Sequence, residues 1–138
     1  MDDTKREWVR SWLIKARSDL RSARALVALP EPATDTAIYH CQQAAEKAPK
    51  GYLAYRDQPL ARTHDLERLL ELATALDPAF ASLEAQADVL NPYATAFRYP
   101  DTLGVRCPSI DEVTTATTDT QAMCDFVLKL LPAEARPD

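Results

Sequence analysis

The side chains with chemical potential gather around the chain's two histidines and one loop arginine. From Tyr39 to Tyr55 the chain runs YHCQQAAEKAPKGYLAY, and Thr63-His64-Asp65-Leu66 follows. Gln43, Glu46, Lys47 and Lys50 put a polar face on what the surrounding apolar pattern makes a buried helix. Taking charges out of water is costly, so such a face needs a structural or functional reason. Glu46 precedes Lys50 by four residues, the favourable order for a helix ion pair. Gln43, Lys47 and Lys50 share one face and suit a phosphate or a partner subunit, or form ordinary solvated surface. His64, beside Asp65 at a helix start, suits general acid–base work or a phosphate at the positive helix end. The alternative for His64 is a tie between its loop and the preceding helix. His40 reads as a surface or dimer-contact residue. Arg98, near Tyr93 and Tyr99, can pair a phosphate while tyrosine stacks on a base. The alternative there is a loop anchored to the bundle by tyrosine and proline packing.

Several site classes are disfavoured. Cys41, Cys107 and Cys124 form no CxxC pair, and two histidines make no Cys/His cluster, so neither a metal nor another cofactor is expected. No glycine-rich loop accompanies Lys47 or Lys50, which argues against a P-loop type of nucleotide site. The net charge of −5 disfavours bulk affinity for nucleic acid. The charge is uneven, however. Residues 1–24 hold seven Lys/Arg against four Asp/Glu, and the remainder holds nine against seventeen. Any anion-binding surface should therefore involve the first helix. There, Arg6, Arg10, Arg17, Arg21 and Arg24 fall in one narrow stripe, either a solvated flank or an anion- or partner-facing surface. The opening MDDTKREW has no signal-peptide pattern, and no apolar run nears the ~20 residues that span a bilayer. The expectation is a cytoplasmic protein without membrane contact.

At 138 residues, with 46% apolar residues, 27% charged residues and two glycines, a single helical domain is expected over 1–138. A first helix over about 3–29 places Trp8, Trp12, Ala16, Leu20, Ala23 and Val27 on one face, and Pro30 and Pro32 stop it. A second, over about 34–56, buries many small residues and contains Pro49, which predicts a kink. Thr63 is the expected N-cap of a third helix. Pro78 opens a fourth, ended by Asn91-Pro92. Residues 91–108 lack periodicity and read as a long loop of the kind that often holds function. Ser109 and Glu112 make a capping box for a fifth helix, whose threonine run is poor helix material. The tail 132–138 is expected to fray. These elements make an all-α, antiparallel, up-and-down bundle of four to five helices with its core over about 8–131.

Trp12, Lys15-Ala16, Asp19-Leu20, Ala23, the run Gln42-Gln43-Ala44-Ala45-Glu46-Lys47-Ala48, Lys50, Thr63-His64-Asp65-Leu66 and Arg98-Tyr99-Pro100 together resemble the HEPN family. The resemblance covers roughly 8–131. It implies a four-helix bundle with a short extra helix, usually a homodimer, often encoded beside a minimal nucleotidyltransferase in a toxin–antitoxin or two-component pair. Many members are metal-independent ribonucleases that use an Arg separated from a His by four to six residues. Here the positions that would hold that Arg are Ala33, Thr34 and Asp35 for His40, and Asp57, Gln58 and Pro59 for His64. No His follows Arg98. The usual nuclease motif is therefore absent. What remains expected is a dimeric binding or regulatory protein that recognises a nucleotide, a nucleic-acid phosphate or a nucleotidyltransferase partner. The alternatives are a ribonuclease with a variant site built from Arg98, His64 and a lysine of the second helix, and an adaptor bundle without a small ligand.

Overall fold

In a computed structural model describing residues 1–138, five α-helices follow one another: α1 Asp3–Val27, α2 Thr34–Tyr55, α3 Leu66–Leu76, α4 Glu84–Leu90 and α5 Ile110–Leu130. There is no β-strand, only an isolated bridge between Asp101 and Gly104. The all-α bundle is as expected. No helix is long and apolar enough to cross a membrane.

Asp2 caps α1 by accepting from the Lys5 amide at 2.7 Å. The buried stripe of α1 is Val9, Leu13, Ala16, Leu20 and Ala23. This corrects the N-terminal end of the expected face. Trp8 is 48% exposed, and Trp12 is only half-buried. Val9 and Leu13 lie one position on from the two tryptophans and take the core places. The indoles meet edge to face at the rim, 5.3 Å apart.

The helix α2 is the central element, packed on α1, α3 and α5. Ala37, Cys41, Ala44, Ala45 and Ala48 are all buried, and their small size lets neighbouring backbones approach. The approach is closest at Gly51. A Cβ there would overlap Leu13 Cδ2 and sit 3.1 Å from Trp12 Cβ. Pro49 lies inside the continuous helix with its ring buried, so the helix passes through it without ending.

Asp65, not Thr63, caps α3. Its Oδ1 accepts from the Glu67 and Arg68 amides at 3.0 and 3.4 Å. Thr63 Oγ1 accepts from the Asp65 amide at 3.1 Å, so it shapes the turn that presents the cap. Asn91 Oδ1 accepts from the Leu66 amide at 2.8 Å and joins this corner to the end of α4. A 3-10 segment, Pro78–Leu83, precedes α4, which is shorter than the expected fourth helix. The capping box of α5 forms as expected. Its threonine run stays helical because Val113, Ala116 and Thr120 are packed in the core, while the hydroxyls of Thr114, Thr117 and Thr118 are satisfied by the carbonyls four residues back at 2.9, 2.8 and 3.1 Å. Thr120 Oγ1 reaches across to the Cys41 carbonyl at 3.2 Å, pinning α5 on α2.

The expected frayed tail is not found. Leu131 and Ala135 are buried, and the arginine stripe of α1 holds the tail down. Arg10 donates to the Glu134 carbonyl at 2.8 Å, and Arg17 to the main-chain oxygen of Asp138 at 2.6 Å. No hydrophobic periodicity announces these contacts: the hydrogen bonds go to main-chain oxygens, and the Glu134 side chain adds only a 4.0 Å approach to Arg6.

Gly51→Ala tests the α1–α2 approach. Overpacking costs about 1–3 kcal/mol against about 1 kcal/mol recovered in helix propensity. Urea denaturation should show a net loss of roughly 1 kcal/mol. A gain in stability would mean that the helices are not in close contact there.

Candidate functional site

The polar face of α2 resolves into two carboxylate-centred clusters and one aromatic-held arginine. The first cluster surrounds Glu46, whose accessibility is 1%. Gln42 Nε2 donates to Glu46 Oε1 at 2.8 Å, from the preceding turn of the same helix. His64 Nδ1 lies 3.1 Å from Oε1, and Lys50 Nζ lies 3.8 Å from Oε2. Gln42, itself buried, also donates to the His64 carbonyl at 3.4 Å and accepts from Gln43 at 2.8 Å. His64 thus does tie its loop to α2. Its imidazole is still 76% exposed, oriented by Glu46 but open to solvent. The Lys50 side chain is 11% exposed, with its ammonium also 5.8 Å from the Trp12 ring, so it offers little open face to a ligand.

The second cluster surrounds Asp19 of α1, whose side chain is 13% exposed. Lys47 Nζ lies 2.5 Å from Asp19 Oδ2, and His40 Nδ1 lies 2.8 Å from Oδ1. One carboxylate therefore neutralises Lys47 and orients His40 while joining α1 to α2.

The third group lies in the long loop and differs in kind. Tyr93 and Phe97 stack on each other 6.0 Å apart and pack against the core, which fixes the loop's base. Burial, with Glu112 nearby, pushes the Tyr93 phenol above its ordinary range. Beyond them the loop closes on itself. Asp101 pairs with Arg106 at 2.7 Å and accepts from the Leu103 amide at 2.8 Å, and Gly104 adopts φ +96°. Arg98 stands between these features. Its guanidinium lies 4.5 Å from the centroid of the Tyr39 ring and 5.4 Å from that of Tyr99. It forms no ion pair, whereas Lys47 and Lys50 each have a carboxylate. Tyr93 does not join it; Tyr39 takes the place expected for Tyr93. Tyr39 also meets the His40 ring edge on at 6.2 Å, linking the arginine to the Asp19 cluster.

The structure therefore brings Gln43, Glu46, Lys50 and His64 together through Gln42, sets Lys47 on Asp19, and holds Arg98 against Tyr39 and Tyr99 with no hydrogen bond or ion pair to His64. Tyr39 and Glu46 are seven residues apart on α2, a rise of roughly 10 Å. Tyr39, Asp19 and Gln42 were absent from the candidate residues. A carboxylate on the basic first helix was a usable signal for Asp19. Nothing in the sequence pairs Tyr39 with Arg98.

Other groups bear on the chemistry. No set of side chains is arranged to hold a metal ion. Burial pushes the Cys124 thiol up to about 12 and raises Cys41 as well, so neither is a ready nucleophile at neutral pH. Glu67, Glu71, Glu84 and Asp88 line a groove of ≈ 510 Å³ between α3 and α4. The adjacent Asp88 carboxyl holds the Glu67 carboxyl above its ordinary range. This acidic face repels phosphate.

Comparison with known proteins gives a consistent picture. The HEPN domain family matches residues 9–130. The crystal structure of TT1696 from Thermus thermophilus superposes with a TM-score of 0.75 at 31% identity, over 89% of this chain and 98% of that one. ST0689, an archaeal HEPN homologue, superposes with a TM-score of 0.67 at 24% identity, over 88% and 96% of the two chains. No curated protein matches.

Two outcomes follow from the clusters. Glu46→Leu strands the Gln42 amide and the Lys50 ammonium, and should cost about 2–4 kcal/mol in urea denaturation. His64→Ala, at an exposed ring, should cost less than about 1 kcal/mol. Similar losses from both would contradict a buried, Glu46-centred node. Separately, a thiol reagent should label Cys107 alone in the native protein, and all three cysteines after unfolding, as read by mass spectrometry.

Proposed function

The chain belongs to the HEPN domain family, and from that premise we propose that it is a non-catalytic, homodimeric binding protein that takes up a phosphate with its attached base at Arg98, Tyr39 and Tyr99. The observation behind this reading is that Arg98 is held by aromatic faces and not by a carboxylate. Stacking satisfies the flat face of a guanidinium and leaves its N–H edge free for a phosphate. Tyr99 is 69% exposed and offers a ring on which a nucleobase can stack, worth ~1–3 kcal/mol. His40 adjoins the patch through Tyr39 and supplies a further polar contact. The net charge of −5 opposes diffuse binding over the surface as a whole, so affinity should be local and strongly salt-dependent. The ligand is a nucleotide or single-stranded nucleic acid. The same exposed loop is also the surface we assign to a nucleotidyltransferase partner, in a regulatory or toxin–antitoxin role.

A ribonuclease reading has one favourable observation, the solvent-open His64 ring oriented by Glu46. Arg98 sits roughly two helical turns away along α2. That chemistry would need the Arg98 guanidinium and the His64 ring to meet at one phosphate, within a protomer or across a dimer. RNA incubated with the protein and a chelator should stay intact; cleavage lost in His64→Ala would establish the nuclease instead.

Binding is tested by fluorescence anisotropy with a labelled single-stranded RNA and with a fluorescent ADP at low salt. Arg98→Ala should weaken binding by about tenfold or more, and Arg98→Lys should only partly restore it, because an ammonium neither stacks nor forks. Lys47→Ala should have the smaller effect. Wild-type protein that binds neither probe, or an Arg98→Ala variant that binds as well, would overturn the reading.

A further inference from the structure

We propose that the groove between α1, α5 and the C-terminal tail is a second binding site, for a small amphiphilic anion with a phosphate or carboxylate head on an apolar body. The groove has a volume of ≈ 490 Å³, and Leu20, Cys124 and Leu128 contribute to its apolar lining. Arg17, Arg21, Arg24 and Arg136 also line it. Its size falls in the range of small-molecule pockets, ~300–1,000 Å³.

The charges single it out. Near the start of α1 the cations have acidic partners: Lys5 pairs with Asp57 at 2.9 Å, Arg6 with Asp3, and Arg10 with Glu7 at 3.3 Å. From Arg17 onward the arginines of α1 pair with no acidic side chain. Arg17 holds the main-chain oxygen of Asp138 at 2.6 Å. Arg24 donates to the neutral Gln121 Oε1 at 2.9 Å, and Arg136 Nε to the Leu131 carbonyl at 2.9 Å. Arg21 has no hydrogen bond or ion pair. The nearby Asp125 lines the adjoining groove, where Gln121 Nε2 donates to it at 2.9 Å.

Two guanidiniums of α1 that meet no carboxylate, those of Arg21 and Arg24, thus face one apolar cleft beside Arg17 and Arg136, in a protein of net negative charge. Like charges spaced four apart on a helix repel, and apolar walls focus their field. An anion in the cleft removes that repulsion, and arginine forks match phosphate or carboxylate oxygens. The apolar lining then selects for a body that leaves water. The site uses α1, α5 and the tail, whereas the Arg98 patch rests on α2 and the long loop, so the two stand or fall separately.

The test is isothermal titration of the full chain with octyl phosphate below its micelle concentration, beside inorganic phosphate and octanol. Octyl phosphate should bind at least about tenfold more tightly than either control, since each lacks one half of the recognition. Arg21→Ala/Arg24→Ala should weaken it about tenfold or more, while Arg98→Ala leaves it unchanged. Both arginines are exposed, so the double variant should keep its helical circular dichroism and melting temperature. Arg21→Ala alone, which removes a side chain with no internal partner, serves as a milder variant. Octyl phosphate binding no tighter than either control, undiminished in the double variant, or lost with Arg98→Ala would overturn the site.

Discussion

Glu46 sits in the middle of the central helix with 1% of its surface open to water. An ionised carboxylate in that position is tolerable only if its oxygens are met by donors, because the desolvation cost otherwise exceeds what one helix pair returns. Gln42, Lys50 and His64 meet it. This requirement reaches outward. It holds the chain after α2 so that Asp65 can cap α3, and Asn91 then links that corner to the end of α4. Asp19 does the same on the other flank, joining α1 to α2 through Lys47 and His40. The polar seam of α2 is thus largely used in holding elements together.

That use separates structural polarity from available polarity. Lys47 and Lys50 have carboxylate partners and are poor candidates for holding a ligand alone. Arg98 is stabilised by π faces, which orient it without neutralising its charge. In a family where many members are ribonucleases, this chain lacks the Arg and His spacing that would set those groups together. It keeps an arginine set between two tyrosine rings on the long loop.

The helices and most of their faces were legible in the sequence because three- and four-residue spacing survives packing. Ser109 and Glu112 were legible as a capping box because the motif is local. The misplaced features have physical reasons. Thr63 and Asp65 are both good caps, and the choice depends on where the Glu46–His64 contact releases the chain. Trp8 and Val9 are adjacent but about 100° apart around α1, and successive four-residue steps back from Ala16 through Trp12 to Trp8 drift off the buried stripe, so Val9 takes the core place. The tail is held by its main-chain oxygens, which every sequence possesses. The Arg98–Tyr39 stack joins residues far apart in the chain, and no local pattern foretells it. The family resemblance found the polar segment but did not sort its residues into those that hold the fold and those free to bind.

The most direct measurement is a double-mutant cycle on Glu46→Gln and Arg98→Ala, read for both unfolding free energy and nucleotide affinity. The account predicts that stability falls with Glu46→Gln alone, affinity falls chiefly with Arg98→Ala, and the double variant shows the sum of each. Affinity lost in Glu46→Gln with stability intact would contradict it, by making the buried carboxylate part of the binding site and not the frame that supports it.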